Sequence, residues 1–241
     1  LGPHLHPAQG LTQEQVIAAV AAGARRAAAA TGIEVRLIVT ALRSHGLEEN
    51  VNLARAAVAA QDLGVVAFDL AGREAAFPDP LAFEAAFDIA RDGGLAITLH
   101  AGEWGGAAQV RRALAVGPTR IAHGGVAVED PSLCAELASR NISLDLCPTS
   151  NTQAAIVPGY GDFPIAELRR RGVPVTLNTD DLVVSDVTLS EEYLHVHRRL
   201  NLPIRDLIDL ARTGYDFAFA EQGTKVRLRK NLDRWLAARG L

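Results

Sequence analysis

Two histidines of the chain end apolar runs and are followed by small residues. His100 ends the run Leu-Ala-Ile-Thr-Leu-His and precedes Ala-Gly-Glu, and His123 ends Arg-Ile-Ala-His and precedes Gly. Side chains of a β-strand alternate between its faces, so a strand over the first run puts His100 on one face with Thr98. The second run likewise puts His123 with Ile121. One such histidine is most often a hydrogen-bonded core residue, but two at neighbouring strand ends indicate a functional site.

Carboxylates accompany these histidines. Glu103 follows His100 by three residues, and Asp180 and Asp181 end the segment Leu-Asn-Thr-Asp-Asp. Strand alternation predicts Asn178 and Asp180 on one face and Asp181 on the other. One acid is then placed to ligate a metal and the other to reach a substrate. On their own, two adjacent acids after a strand are also typical of a helix N-cap or a solvated turn.

The inward-facing set therefore consists of His100, His123 and Asp180, with Glu103 beside them. Imidazole nitrogens and carboxylate oxygens are ligands that suit zinc, and a carboxylic acid can transfer protons. A bound Zn²⁺ lowers the pKa of its water to roughly 7, which makes hydroxide available at neutral pH for attack on an electrophilic carbon. These residue types predict a zinc cofactor and a hydrolytic reaction.

The elements that must position these residues alternate along the chain. A helix is predicted from Thr12, with a capping box to Gln15, to Gly32. Further helices are predicted over residues 47–62, 80–92 and 164–171, from Pro131, and from Leu189 onward. Six strands are predicted over residues 34–40, 65–70, 96–100, 120–123, 142–146 and 173–177. Strands that nearly all follow a helix are typical of a parallel sheet with helical crossovers.

The predicted fold class is α/β, and the positions of the polar residues favour a barrel over an open sheet. His100, His123, Cys147 and Asp180 each stand where a strand gives way to a loop, on four different strands. A TIM (β/α)8 barrel gathers polar groups from many strand ends, whereas an open sheet concentrates its site at one switch point. Because a complete barrel has eight strands, about six strands and a helical C-terminal tail predict an incomplete TIM (β/α)8-type barrel.

The composition excludes several classes of protein. The 241 residues are 49% hydrophobic and 22% charged with a formal net charge of -4, which excludes a disordered chain. No apolar stretch reaches the roughly 18 residues of a membrane span, no signal peptide opens the chain, and no Lys/Arg block indicates nucleic-acid binding. Two cysteines form no disulfide framework, so a cytoplasmic location is expected. The expected partner is a small molecule, with no nucleic acid, membrane or protein partner.

Five motifs together resemble the adenosine deaminase family of zinc aminohydrolases within the metal-dependent hydrolases. They occur in the family's order, at about its spacing and over nearly the whole chain: Asp69-Leu-Ala-Gly72, His100-Ala-Gly-Glu103, Arg120-Ile-Ala-His-Gly124, Cys147-Pro-Thr-Ser-Asn151 and Asn178-Thr-Asp-Asp181. The opening segment from Gly2 to Thr12 resembles the stretch that follows the family's second barrel strand. With a start at Leu1 and no Met, the chain is expected to be a fragment, residues 1–241 forming a single barrel domain that lacks the first two strands.

The resemblance implies a role for each matching residue at the reacting centre. His100 and Asp180 are implied to be zinc ligands. Glu103 is implied to donate a proton to the purine N1. His123 is implied to orient or deprotonate the zinc-bound water.

Other matching residues are implied to bind the substrate or to support the site. The resemblance implies that Asp181 hydrogen-bonds the purine N7 and that the Gly72 backbone lies against N3. We interpret Asp69 and the turn over residues 147–151 as structural supports. Cys147 is interpreted as a buried small residue and not as a nucleophile, because no base lies near it in the sequence.

The sequence departs from the family at two places. Leu182 follows the paired acids where the family often has Pro, which is a minor loop difference. The family's His-x-His motif on its first strand, which supplies two further zinc ligands, and the adjoining acid that binds the sugar are absent. His4-Leu-His6 has the right spacing, but no apolar strand precedes it, and we interpret it as a loop pair near the chain end.

The remaining histidines receive no catalytic role. His195 and His197 are two positions apart on a predicted helix, which turns them to different sides, so both are predicted to be surface residues. His45 follows a strand end, a position that would line the rim of a barrel.

The resemblance implies zinc-dependent hydrolytic deamination of adenosine, and of deoxyadenosine, to inosine and ammonia. Two alternatives stay open: an adenine or other purine aminohydrolase, which uses the same ligands, and a catalytically silent purine-binding module. Because the chain offers only two secure zinc ligands, it is expected to bind zinc weakly and to be inactive alone.

Overall fold

The first long helix begins and ends where the sequence predicts it. Helix α1 spans Gln13–Thr31. The Thr12 hydroxyl accepts the Gln15 N–H and the Gln15 side chain accepts the Thr12 N–H, so the predicted capping box is present. Gly32 ends the helix in the left-handed conformation that glycine adopts without steric cost.

The computed structural model describes residues 1–6 and 10–241. Pro7, Ala8 and Gln9, which belong to the opening segment of the family resemblance, lie outside the described residues. The chain divides into two compact units, Leu1–Ala127 and Val128–Leu241. Each unit has its own strands, helices and buried apolar side chains.

The first unit alternates helices and strands. After α1 its elements are β1 (Leu37–Leu42), α2 (Leu47–Ala59), β2 (Val65–Ala71), α3 (Glu84–Asp92), β3 (Ala96–Ala101), α4 (Ala107–Ala113) and β4 (Arg120–His123). The strands pair in chain order and all pairs are parallel, with His123 opposite Ala101. Because parallel strands end at the same edge, the residues at the ends of β2, β3 and β4 lie next to one another.

Apolar side chains from the helices of the first unit pack on its strands. Ile17 of α1 and Leu53 of α2 are fully buried, and Phe87 of α3 meets Phe68 of β2 edge to face with ring centroids 5.9 Å apart. Burying a side chain of this size stabilises a fold by about 1.5–3 kcal/mol. These contacts hold the strands in place under the polar edge.

The second unit has fewer strands and more helices. Its elements are α5 (Pro131–Ser139), β5 (Ser143–Leu146), α6 (Pro148–Gln153), α7 (Ile165–Arg170), β6 (Val175–Leu177), α8 (Leu182–Ser185), α9 (Leu189–Leu200), α10 (Ile204–Phe217) and α11 (Gln222–Ala237). Strands β5 and β6 pair in parallel, and every residue of both is buried. Burial on both faces is typical of parallel strands covered by helices.

All six predicted strands are present in the described part of the chain. The first begins at Leu37 rather than at residue 34, and the last begins at Val175, directly after Pro174, which has no N–H for strand pairing. The sequence does not predict α4, α6 and α8. These helices have only four to seven residues, which is too short for a hydrophobic period to be recognised.

The predicted helical tail is confirmed as α9, α10 and α11, but the prediction of surface histidines is wrong. Both are half-buried: His195 Nδ1 lies 3.1 Å from the Tyr160 hydroxyl, and His197 Nδ1 donates to the Leu202 carbonyl at 2.7 Å. Helix α9 packs on the 3-10 turn Tyr160–Asp162, which brings the Tyr160 hydroxyl to His195. Within residues 1–6 and 10–241, no helix is both long and apolar enough to cross a bilayer.

Candidate active site

His100, in β3, lies beside a buried carboxylate of the neighbouring strand. Asp69 of β2 is 3% exposed, and its two oxygens lie 3.1 and 3.0 Å from His100 Nδ1. A carboxylate accepts hydrogen bonds, so Nδ1 carries the proton and donates it to Asp69. A metal held by this ring would be bound through Nε2, and a carboxylate on the other nitrogen is the usual arrangement of a metal-binding histidine.

The surroundings of Asp69 favour its ionised form. Burial opposes the charge, but the electrostatic attraction of His100 and hydrogen bonds from His100 and the Thr40 hydroxyl outweigh it. The pKa of Asp69 therefore lies below its ordinary value. The sequence indicates only a structural support at this position, whereas the structure gives Asp69 a specific partner among the predicted site residues.

His123 ends β4 in an uncommon backbone conformation. Its φ is 63°, a left-handed value that costs a non-glycine residue on the order of 1–3 kcal/mol. The residue is 1% exposed, its Nε2 lies 3.7 Å from Glu103 Oε2, and its ring centroid lies 5.2 Å from that of His100. The first unit thus brings together three of the predicted residues, His100, Glu103 and His123.

The loop that carries Glu103 depends on a glycine at its start. Gly102 has a φ of 72°, and a Cβ there would lie 2.6 Å from Val110 Cγ2 and 2.8 Å from Val126 Cγ2. No side chain fits at those distances. The Ala-Gly-Glu sequence after His100 therefore has a steric reason as well as a chemical one.

A buried glutamate that the sequence does not predict holds the same loop. Glu74 is 0% exposed, and its carboxylate accepts the backbone N–H groups of Gly102 at 2.7 Å, Trp104 at 2.8 Å and Gly105 at 3.0 Å. In sequence it is a single acid after a strand, which is most often an exposed turn residue. Its place in the chain, five residues after Asp69 in a matching motif, was the signal available.

A buried arginine, also not predicted, connects two segments of the site. Arg43 follows β1, is 1% exposed, and donates to the carbonyls of Phe77 at 3.0 Å and His100 at 3.1 Å. Burial lowers the pKa of Arg43, against the opposing attraction of Glu74 and other acids. Gly72 has a φ of 112° and packs on Arg43, since a Cβ there would lie 3.5 Å from Arg43 Cβ.

Asp180 lies in the second unit, beyond the end of β6. The strand ends at Leu177 and Asp180 has a φ of 59°, so the backbone is not extended here. The prediction that strand alternation separates the two acids is therefore wrong. The exposed Asp180 carboxylate accepts the Ser150 hydroxyl at 2.8 Å through Oδ2, which orients it.

Asp181 is the N-cap of α8. Its Oδ1 accepts the N–H groups of Val183 and Val184, both at 3.2 Å. This is the helix-capping alternative that the sequence left open for paired acids. The cap fixes the direction of the Asp181 side chain relative to the helix that follows it.

Cys147 is buried, as the sequence predicts, but residues 148–151, which we interpreted as part of a turn, form the start of helix α6. Cys147 is 5% exposed, and its Sγ lies 3.6 Å from the carbonyl oxygen of Asp145, two residues earlier in the chain. The Thr149 N–H donates to Glu192 at 2.8 Å, and burial raises the pKa of Glu192. Ser150, which contacts Asp180, therefore directly follows an anchored residue.

His4 is a buried structural residue, so the expectation of a loop pair is wrong for this member. It lies in a 3-10 turn, Pro3–Leu5, and is 6% exposed. Its Nε2 lies 3.1 Å from Asn50 Oδ1 and its Nδ1 lies 3.2 Å from Gln13 Nε2. The His45 ring stacks on it at a centroid distance of 4.3 Å. Because side-chain amides engage both ring nitrogens, His4 does not serve as the missing zinc motif.

Comparison with known sequences decides the family. The sequence model described as Adenosine deaminase matches residues 1–235. The chain belongs to the adenosine deaminase family. An adenine deaminase from Sinorhizobium medicae is 37% identical over 220 residues, which cover 91% of this chain and 68% of that protein. An adenosine deaminase from Clostridium acetobutylicum is 34% identical over 232 residues, 96% of this chain and 69% of that protein.

Two solved structures share the fold. An adenine deaminase from Arthrobacter aurescens has a TM-score of 0.91 at 24% identity, over 98% of this chain and 72% of that one. An amidohydrolase from Burkholderia ambifaria, described with bound Zn, has a TM-score of 0.88 at 27% identity, over 99% and 69% of the two chains. The predicted α/β fold of an incomplete (β/α)8 barrel is confirmed. The motif-based family prediction is confirmed, and these relatives identify the chain as a purine deaminase, a hydrolase.

Proposed function

We propose that the protein removes the 6-amino group of a purine by zinc-dependent hydrolysis. The observation that carries this proposal is the cluster of His100, Glu103 and His123 at the ends of adjacent parallel strands. The cluster combines a histidine of metal-binding type, a carboxylic acid for proton transfer and a second imidazole that can act as a base. Relatives named adenine deaminase and adenosine deaminase support the same reaction class.

His100 and Asp180 are the proposed zinc ligands. The hydrogen bond from His100 Nδ1 to Asp69 fits this role, because it fixes the ring and makes Nε2 the donor to a metal. The Ser150 hydroxyl orients the Asp180 carboxylate in a similar way. In a (β/α)8 barrel the loops after the strands contribute to a single site, which supports a shared role for residues that follow β3 and β6. The bound Zn of the Burkholderia ambifaria relative supports the choice of metal.

Glu103 and His123 are the proposed proton-transfer groups. Zinc, when bound, supplies a water whose pKa is lowered to roughly 7. His123 takes a proton from the attacking water, and Glu103 donates one to N1 as the new C6–O bond pushes electrons into the ring. Protonated His123 then gives its proton to the 6-amino group and the C6–N bond breaks, while the proton of the C6 hydroxyl returns to Glu103 as the C6=O bond forms. The products are ammonia and the 6-oxopurine, and both side chains regain their starting protonation. Glu103 Oε2 lies 3.7 Å from His123 Nε2. The carboxylate that remains after Glu103 has given up its proton can therefore stabilise the imidazolium that His123 becomes.

Gly72 and Asp181 are the proposed substrate-binding residues. Gly72 follows β2 and has no side chain, so its backbone can approach the flat face or edge of a purine, here N3. Asp181 is proposed to hydrogen-bond N7 through one proton held between its second carboxyl oxygen and the ring nitrogen, while the N–H groups of α8 hold Oδ1 in one direction. Neither residue is proposed to ligate zinc.

Replacing Asp181 by Asn is expected to keep zinc bound and to lower kcat/KM by about tenfold to a hundredfold, the usual worth of a hydrogen bond to a charged group. Asn is as good an N-cap as Asp, so α8 should stay folded and the loss should report substrate contact. Asp180→Asn is the matched comparison and is expected to lose zinc as well as rate. Elemental analysis of both variants in the full-length protein checks that Asp180 and Asp181 have different roles. Equal zinc loss in the two variants would contradict this.

The choice between adenine and adenosine is the finer part of the proposal. Adenine is the first candidate, because the Sinorhizobium medicae relative, at 37% identity, is named adenine deaminase. Adenosine is the second candidate, supported by the family description and the Clostridium acetobutylicum relative. Both share the reacting C6, N1 and N7 atoms, so the proposed residue roles are the same for either substrate.

Ammonia release from adenine, adenosine and deoxyadenosine, measured side by side with zinc-loaded full-length protein, tests this function. A kcat/KM for adenine that exceeds that for adenosine is the expected result. The reverse order would assign a nucleoside deaminase. No ammonia from any of the three, with purine binding retained, would support the silent binding module instead.

A further inference from the structure

Glu74 is a buried carboxylate that none of the proposed chemical steps uses. It is 0% exposed and lies in the segment between β2 and α3. A buried carboxylate is costly unless hydrogen bonds and nearby positive charge compensate it. We therefore expect Glu74 to have a structural or positioning role that offsets this cost.

The hydrogen bonds of Glu74 are all directed to one short loop. Oε1 accepts the Gly102 N–H at 2.7 Å, and Oε2 accepts those of Trp104 at 2.8 Å and Gly105 at 3.0 Å. The three donors flank Glu103 on both sides. The buried Arg43 guanidinium attracts the Glu74 charge and at the same time donates to the His100 carbonyl, one side of the same loop.

The loop leaves no room for a side chain at its two glycines. A Cβ at Gly105 would lie 2.2 Å from Gln109 Cγ, and Gly102 is similarly enclosed by Val110 and Val126. Without Glu74, three N–H groups in this confined turn lose their acceptor. The turn would then have to shift to satisfy them, and Glu103 would move with it.

From this geometry we propose that Glu74 is a positioning residue: it holds the loop over residues 102–105 so that the Glu103 carboxylate stays beside His123. The proposal rests on the proposed function, since it assigns Glu74 an effect through the general acid. It predicts that removing the Glu74 acceptors displaces Glu103 and slows the proton transfer, while the histidines of β3 and β4 stay in place.

Glu74→Gln is the variant that tests this. Gln has the size of Glu, but its amide nitrogen is a hydrogen-bond donor. This nitrogen would face at least one of the three loop N–H groups, which then loses its acceptor. In zinc-loaded full-length protein, kcat should fall on the order of a hundredfold, as for a misplacement near 1 Å, with zinc content unchanged. Glu74→Asp, which keeps the charge but is shorter, should show the same direction and serves if the Gln variant is insoluble. Ile17→Val, a truncation in the α1 core, controls for a general loss of stability and should keep full activity.

A double-mutant cycle separates positioning from general damage. In a Glu103→Gln background, Glu74→Gln should lower kcat/KM by less than about twofold further, because the group through which it acts is already gone. If the two losses multiply instead, Glu74 does not act through Glu103 and the proposal is overturned.

Trp104 provides a readout that does not depend on activity. Trp104 and Trp235 are the two tryptophans of the chain, so Trp235→Phe leaves one fluorophore in the Glu74-bound loop. Glu74→Gln should increase acrylamide quenching of Trp104, and unchanged quenching would overturn the proposal. If the parent protein deaminates no purine, the proposed function fails, and the anchoring of the loop stands or falls on the Trp104 quenching alone.

Discussion

Replacing Glu103 by Gln in the full-length protein is expected to lower kcat/KM for the purine by about a hundredfold to ten-thousandfold, the usual cost of losing general acid catalysis. The amide has the size of the acid but no proton to give to N1. Glu103 lies beside His123 and is not a proposed zinc ligand, so zinc should stay bound. Steady-state kinetics and elemental analysis of one preparation check both parts.

Glu84→Gln is the matched control for this substitution. Glu84 is an exposed glutamate in the first turn of α3, in the same unit as Glu103. It should leave rate and zinc content at the parent values. A Glu103→Gln protein that retained most of its activity would remove Glu103 from the proton-transfer step, and one that lost zinc would make Glu103 a ligand.

Replacing His100 by Ala is expected to abolish zinc binding and, with it, activity. The His100 imidazole is a proposed direct ligand, and its removal takes away one of the few bonds that hold the zinc ion. Asp69→Asn should act more mildly, with a loss of about tenfold to a hundredfold in zinc affinity or activity, because it weakens the support of the ligand and not the ligand itself. Competition with a chelator, followed by metal analysis, ranks the two variants.

His197→Ala is the control for removal of a histidine. His197 donates to the Leu202 carbonyl in α9 and has no part in the proposed site. The expected order of zinc affinity is His197→Ala equal to the parent, then Asp69→Asn, then His100→Ala. Asp69→Asn binding zinc as tightly as the parent would show that the Asp69–His100 hydrogen bond does not tune a metal ligand.

Local sequence is enough to predict most of the fold. Thr12 and Gln15 at one end and Gly32 at the other define α1 before any tertiary contact is known. The short helices α4, α6 and α8 could not be predicted, because they lack a period and depend on single contacts. Asp181 shows this, since its carboxylate caps α8 while the sequence alone allows a cap, a turn or a ligand.

Some residues of the proposed site could likewise be predicted from the sequence, and others could not. His100, Glu103 and His123 could be found because their chemistry stands out at strand ends. Arg43 and Glu74 could not, because their meaning depends on partners far along the chain: Arg43 bonds a carbonyl 57 positions away and Glu74 an amide 28 positions away. A buried charge looks like any surface charge until its partners are known.

The left-handed backbone at His123 and Asp180 limits how this site can evolve. Among the described residues only six non-glycine positions have positive φ, and these two are proposed site residues. The proposed chemistry requires an imidazole or a carboxylate at these positions, and the left-handed backbone favours Gly, Asn, Asp and His. Few substitutions meet both requirements. Trp104 and Leu182 directly follow the proposed site residues Glu103 and Asp181 in the chain, have no positive φ and are more than half exposed. New substrate preferences in this lineage should therefore arise by exchange at these rim positions, with the strand ends left unchanged.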